Sequence, residues 1–470
     1  MRVLMVSDVF LPRINGVSTS IDTFRRTLKS QGVEVTLVAP RYGNEHDEAR
    51  VIRVKGRPLL GDPEDRLLSW KATHRAVLDA ARSCDAVHIQ TPFVAHFAGL
   101  RVARTLGLPV MATYHTFFEE YLHHYVPLIP ARLLRFTARN FSRSQCNAMD
   151  AVIVPSSSMH QRLTSYGVCT PLHVMPTGVP LKKFAAGQRD RFRRRHGIAD
   201  NRPVALFVGR VAHEKNIDFL LDAWAQARAH RPDLLLLIAG DGPALGALKE
   251  QAHALNLGES VIFLGYLDSE TELPDCYAAA DVFVFTSRTE TQGLVLLEAM
   301  AAGLPAIALS QMGTADILGA GQGCLTPPAD AAAFAQAILR FFSDALLRAR
   351  LRKEALALAL DWSDDAWARR LGNLNKALQR LEGAKAFRLA LSDHPSCNDS
   401  ISRARVTNAV SPRRAGSHWN ATRGSAGNPW GGASRAMPSP IADSLRQATP
   451  SPAARADCRP ATPDATCAST

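Results

Sequence analysis

The chain has 470 residues, room for two or three domains at roughly 100–200 residues each. Hydrophobic residues make up 46% and charged residues 21%, the balance of a folded globular protein rather than a disordered or fibrous one. No apolar run reaches the ~18 residues of a transmembrane helix, because the nearest, Gly293 to Ser310, carries Glu298 in its middle. The N-terminus turns acidic at Asp8 and lacks a small-residue cleavage site, so no secretory signal is expected and a cytosolic location is. Eight cysteines are scattered without a C-x-x-C pair, against a zinc ribbon or a disulfide framework. The net charge of +12 is uneven: from Gly383 onward eleven Lys/Arg face five Asp, half of the excess. The folded part is only mildly basic, so no nucleic-acid partner is expected.

In chain order, the apolar run 2–7 predicts a strand, the Pro/Gly-containing stretch to Gly16 a loop, 18–31 a helix and 34–39 a second strand. Runs 86–90, 109–114 and 151–154 continue this series at helix-length spacing. A second series starts at 203–208 and continues through 234–239, 261–264, 282–286 and 306–309. Near-continuous Val/Ile/Leu strands alternating with helices mean α/β domains with parallel sheets covered on both faces. The expected organisation is a Rossmann-like domain at 1–180, a linker at 181–200 and a second Rossmann-like domain at 201–360. A helix at 361–382 is expected to pack back on the first domain, after a break at Asp361-Trp362-Ser363. From 383 to 470, Pro, Ser, Ala, Arg and Gly dominate and apolar periodicity ends, which reads as a disordered tail. Ligands of doubly wound sheets bind beyond the carboxyl ends of the strands, so two such domains facing each other enclose a cleft.

Four segments fall at those strand ends, and a fifth forms a helix. Ser287 to Gly303 follows a strand and opens a helix, whose N-terminal N–H groups and dipole suit phosphate, with Gly293 allowing close approach. Glu290 in its loop and Glu298 in its helix would stand roughly 8–12 Å apart, suited to a ligand with hydroxyls at both ends and phosphates between. The simpler alternative makes Glu290 a helix cap and Glu298 a solvated helix residue. Arg210 and Lys215, on the loop after the strand 203–208, can clamp a diphosphate and stabilise a leaving group, or else are solvated surface cations. Asn15-Gly16-Val17-Ser18 lies in the first loop, where G-x-G-x-x-G is absent, and Ser18 can serve there as a plain N-cap. His115, in Thr113-Tyr-His-Thr-Phe-Phe118, reads either as a substrate contact or as a structural histidine.

The fifth segment, Pro130 to Met149, carries Arg132, Arg135, Arg139 and Arg143 within ~80° of a helical wheel, with Phe136 flanking them. Leu134, Ala138, Phe141 and Ala148 take the far side, and Tyr121 to Ile129 precedes the helix. Such a face can lie on anionic lipid; a helix packed on the domain with a solvated Arg face is the alternative. D-x-D, G-x-x-x-x-G-K-[ST], G-x-S-x-G and H-E-x-x-H are all absent, which removes aspartate-anchored metal, P-loop, hydrolase-elbow and zincin readings.

Together, Asn15-Gly16-Val17, Tyr114-His115-Thr116, Pro176-Thr-Gly-Val179, Gly209-Arg210 with Lys215-Asn216, Gly240-Asp-Gly-Pro243 and Glu290-x7-Glu298 resemble the GT4 family of retaining glycosyltransferases, with the GT-B fold. They occur in order over roughly residues 1–380, and the tail has no counterpart. The resemblance implies that Glu298 binds the ribose hydroxyls, that Glu290 stands near the transferred sugar, and that Arg210 and Lys215 hold the diphosphate. It gives the backbone of Gly16 and of Gln292, Gly293 and Leu294 a share in donor binding, and His115 a contact with the sugar. It implies no metal or other cofactor, and front-face attack with the leaving phosphate as base. Gln292 departs from many members, where an aromatic is frequent. The Thr289-Glu-Thr-Gln-Gly293 string looks most like the branch acting on diacylglycerol-type lipids. The expected reaction is hexosyl transfer from UDP-glucose, with GDP-mannose second, to a lipid acceptor at the inner face of the cytoplasmic membrane. A soluble saccharide acceptor is the alternative; a sugar-nucleotide epimerase and a non-catalytic basic binding protein are more remote.

Overall fold

The computed structural model describes residues 1–366 except 44, 47, 60, 61, 116, 118–130 and 365. The expected helix 361–382 beyond Ala366 and the tail 383–470 therefore lie outside the described residues, as does the segment Tyr121 to Ile129.

Two sheets form. The first contains β1 (Arg2–Val6), β2 (Glu34–Arg41), β3 (Val51–Leu59), β4 (Asp62–Leu68), β5 (Ala86–Ile89), β6 (Val110–Thr113), β7 (Ala151–Val154) and β8 (Leu172–Val174). Its spatial order is β4-β3-β2-β1-β5-β6-β7-β8, parallel throughout except for the antiparallel β3–β4 edge. The second contains β9 (Val204–Val208), β10 (Leu235–Ala239), β11 (Val261–Gly265), β12 (Val282–Phe285), β13 (Ala306–Ala308) and β14 (Cys324–Leu325). Its order is β11-β10-β9-β12-β13-β14, all parallel. The two doubly wound parallel-sheet domains expected from the strand series are present.

Each sheet is covered on both faces, as its apolar strands require. Successive residues of a strand point to opposite faces, and β1 splits accordingly: Leu4 and Val6 enter one core, Val3 and Met5 the other. Helix Gly16–Ser30 covers the second face with Ile21, Phe24 and Leu28. Its N-cap is Asn15, whose Oδ1 accepts from the Ser18 N–H at 2.9 Å; Ser18 is not the cap that the sequence suggested.

The strand order reverses between β1 and β5 in the first sheet and between β9 and β12 in the second. At such switch points the connecting loops diverge to opposite faces and leave a crevice at the strands' carboxyl ends. Segment 181–200 joins the domains through two short helices, Leu181–Ala185 and Arg189–Arg195, which bury Phe184 and Phe192 in the second domain's core. Arg193, fully buried, donates to the carbonyl oxygens of Ala279, Ala199 and Arg202 at 2.9, 2.7 and 3.0 Å. The last described helix, Ala345–Asp361, ends where the sequence places a break. Beyond it, Trp362 O accepts from the Val179 N–H at 2.9 Å, and Asp364 pairs with Arg26 of the first domain at 3.7 Å.

Candidate active site

The two switch points bring the candidate residues into one region. Beyond β9, Gly209 and Arg210 begin a loop that closes in a short turn, His213–Lys215. That loop is pinned to its neighbours by backbone bonds from Gly209 N to Ala239 O (3.0 Å) and from Val211 N to Asp241 O (2.9 Å). Gly240 lies so near that a Cβ there would stand 2.0 Å from Gly209 O, which accounts for the glycine of the Gly240-Asp-Gly-Pro243 string as a packing requirement. Asn216 follows in the left-handed region and fixes the turn to β12: its Nδ2 donates to Thr286 O at 3.2 Å, and Thr286 Oγ1 to Asn216 O at 3.0 Å. Arg210 and Lys215 are thereby held on a rigid rim.

Across from them runs the loop after β12. Glu290 does not cap the following helix. Its Oε1 accepts from Lys215 Nζ at 2.5 Å, both side chains being mostly buried at 15% and 16% exposure. The helix Leu294–Ala301 starts instead from Gly293, at φ +94°, with no side-chain cap, so its first N–H groups are available to an anion. Within that helix Glu298 is not a solvated residue. Its Oε2 accepts from the hydroxyl of Tyr277 at 2.9 Å, and burial raises its carboxyl above the ordinary range against the opposing effects of that bond and of Lys183.

The first domain contributes from the ends of β5 and β6. His115 Nε2 lies 2.9 Å from Gln90 Oε1, and burial pulls its pKa down to about 4, so the imidazole is neutral at pH 7. Beside it a cavity of about 30 Å³ is lined by Gln90, His96, Tyr114, His115 and Gln145 among others. His115 reaches the second domain through its backbone, its carbonyl accepting from Thr291 Oγ1 at 3.1 Å. The His115 backbone thus lies beside Thr291, the residue after Glu290, which in turn pairs with Lys215. Gly16 opens its helix with open space where a Cβ would stand.

The resemblance implied only a backbone role for Gln292, and its side chain is bonded to the first domain. Its Oε1 accepts from Thr177 N and its Nε2 donates to Thr177 O, both at 2.8 Å, while Thr177 Oγ1 meets Ser20 Oγ at 2.7 Å. The amide clasps the crossover between the domains. Gln90 and Tyr277 were not singled out in the sequence, and Thr177 and Thr291 stood there only inside longer strings with no role of their own. Gln90 alone carried a signal, since it directly follows β5 at the switch point.

Helix Ala131–Asn147 exposes Arg132, Arg135, Arg139 and Arg143. Its inward seam is Leu134, Ala138, Ser142 and Cys146, at four-residue spacing, and Gln145 Nε2 donates to Pro92 O at 2.7 Å. Phe141, expected on the inner side, is 36% exposed because the buried seam falls on Ser142 instead. Leu133 and Phe136 stand outward among the arginines at 55% and 66% exposure, and Phe93 and Phe97 of the neighbouring segment at 55% and 48%. Among the described residues no group of three or more His, Cys, Asp or Glu is placed to hold a metal ion.

Residues 14–183 match the family model described as Glycosyltransferase Family 4, and residues 188–357 the model described as Glycosyl transferases group 1. The chain is 35% identical over 319 residues to the alpha-monoglucosyldiacylglycerol synthase of Streptococcus pneumoniae, covering 66% of this chain and 71% of that one. It is 31% identical over 326 residues to a GDP-mannose-dependent alpha-mannosyltransferase of Mycobacterium tuberculosis, covering 67% and 81%. In fold it is similar to HepE of Anabaena, solved with UDP and glucose, at a TM-score of 0.65 and 18% identity over 80% of this chain and all of that one.

Proposed function

The chain belongs to glycosyltransferase family 4 and is a hexosyltransferase of the GT-B fold, and from that premise we propose that it glycosylates a diacylglycerol-type lipid at the cytoplasmic face of a membrane. The donor in this reading is UDP-glucose, with GDP-mannose second, and the anomeric configuration is retained.

In this reading the Lys215–Glu290 pair is where the charges of such a donor meet, phosphate on the lysine side and sugar hydroxyls on the glutamate side. Arg210 and Lys215 neutralise the diphosphate as the bond from the anomeric carbon to its phosphate oxygen breaks. The helix start at Gly293 and Leu294 adds N–H donors, Gly16 adds backbone from the first domain, and Glu298 takes the ribose. The acceptor hydroxyl oxygen attacks the anomeric carbon from the face the leaving group vacates, and its proton passes to the departing phosphate. His115, neutral and held by Gln90, accepts a hydroxyl of the sugar. In this reading the two cations do the charge stabilisation, without a metal ion or other cofactor.

One observation supports the lipid acceptor beyond the relatives' names: Phe136 and Leu133 stand exposed within the face of Arg132, Arg135, Arg139 and Arg143. Cations attract anionic headgroups, and the apolar side chains add insertion energy of ~25 cal/mol per Å² buried. No helix among the described residues is long and apolar enough to cross a membrane, so attachment in this reading is peripheral. Flotation of the protein with vesicles containing phosphatidylglycerol tests it. Phe136→Ser with Arg139→Glu should lower the bound fraction at least about fivefold while the melting temperature holds; undiminished flotation removes this helix from the membrane contact.

A further inference from the structure

Tyr277 is a polar side chain enclosed in the second domain that takes no part in the chemistry described above. It is fully buried on helix Glu272–Ala279. Its ring is fixed by an edge-on contact with Phe184 at 5.5 Å and by Phe283 of β12 at 6.0 Å. Phe184 comes from the crossover between the domains and Phe283 from the switch-point strand, so the phenol has one orientation. Its hydroxyl donates to Glu298 Oε2 at 2.9 Å, with Val295 O a longer second acceptor at 3.4 Å. A buried tyrosine hydroxyl needs an acceptor, and a carboxylate on a helix has several rotamers of similar energy. The bond satisfies the first and restricts the second.

We propose that Tyr277 is a positioning residue: it fixes one oxygen of Glu298 so that the other is presented to the ribose hydroxyls of the bound nucleotide. The assignment rests on the reading of Glu298 as the ribose-binding residue. It makes the hydroxyl selectivity of the nucleotide site depend on a side chain that touches no ligand. Tyr277 is responsible for where the carboxylate stands, and Glu298 for what it binds.

The test compares UDP and GDP, each with its 2′,3′-dideoxy analogue, by calorimetric titration of the full chain, taking whichever nucleotide binds. In the wild type the ribose form binds more tightly. Tyr277→Phe keeps the ring and its packing and should narrow that preference about tenfold. It should raise the donor KM with kcat at saturation within about twofold, and add nothing further in a Glu298→Gln background. A loosened core alone would weaken both members of a nucleotide pair equally. Should the Phe variant not fold, Phe184→Leu removes the edge contact and keeps the hydroxyl, and the preference should again narrow. If Glu298→Gln collapses the preference and Tyr277→Phe leaves it whole, the positioning role is wrong. If Glu298→Gln itself leaves it whole, the ribose reading has failed and this proposal with it.

Discussion

Three imidazoles sit at the carboxyl ends of β5 and β6 or on the helix between them, and burial keeps all three neutral. His88 bonds Thr113 Oγ1 at 2.7 Å, meets the edge of Phe24 and has its pKa pulled down to about 3. His96 and His115 are each pulled down to about 4. A folded-state pKa below the unfolded value means that the unfolded chain takes up protons which the native chain refuses. That part of the stability is complete above the unfolded pKa of about 6.5 and is lost as pH falls toward the folded values. For His88 the loss between pH 7 and pH 5 is about 2 kcal/mol. His88→Asn should therefore reduce the acid sensitivity of the unfolding free energy across that interval by about that amount; an unchanged difference would place His88 outside the acid response. The sequence displayed these histidines but not their state, because periodicity marks which residues are inside and not what they bond there. Glu290 and Lys215 were legible as separate candidates through their positions after strands, whereas their pairing across 75 residues of chain was not.

Elements were legible in proportion to how apolar they are. β1, β5, β7, β9, β10 and β12 read directly as Val/Ile/Leu runs. β3 and β4 did not, because Arg, Lys, Asp, Gly56 and Pro58 interrupt the apolar pattern from Val51 to Leu68. β8 and β14, of three and two residues, are too short to carry a period. The Arg-rich stretch after Pro180 read only as a linker, since nothing local distinguishes Arg193, fully buried and bonded to carbonyls, from its exposed neighbours Arg191, Arg194 and Arg195. Gln292 is the comparable case in the donor loop, a polar side chain whose partners lie 115 positions away. Gln292→Leu leaves the Thr177 N–H and carbonyl unpaired inside the joint and should cost about 2–4 kcal/mol in chemical denaturation, at one to two buried groups lost. A cost below about 0.5 kcal/mol would mean that the clasp does not hold the loop.

In the whole molecule, loops of the second domain and the first domain are joined at several points. Thr291 meets His115, Gln292 meets Thr177, Arg13 Nη1 donates to Tyr266 at 3.2 Å, and Ser158 Oγ donates to Met312 O at 2.9 Å. On the proposed function, both ends of the transfer are assembled by contacts between domains, with the nucleotide elements in one and His115 in the other. The helix with its arginine face belongs to the domain that carries His115, so a lipid acceptor would set that side of the cleft toward a membrane. The two-sheet architecture was legible from the strand series; the joints between the sheets were not, since each is made by one or two side chains from distant loops.

Lipid glycosylation, on which the proposed function turns, can be read in a single reaction. Full-length protein is mixed with vesicles of diacylglycerol and phosphatidylglycerol and given UDP-glucose, UDP-galactose, UDP-N-acetylglucosamine or GDP-mannose separately. The lipids are then weighed by mass spectrometry. The expected product is a hexosyl-diacylglycerol from UDP-glucose, lost in Glu290→Ala and Arg210→Ala. Nucleotide diphosphate released with no glycolipid from any donor, and transfer appearing only when a soluble saccharide is added, would contradict the lipid acceptor.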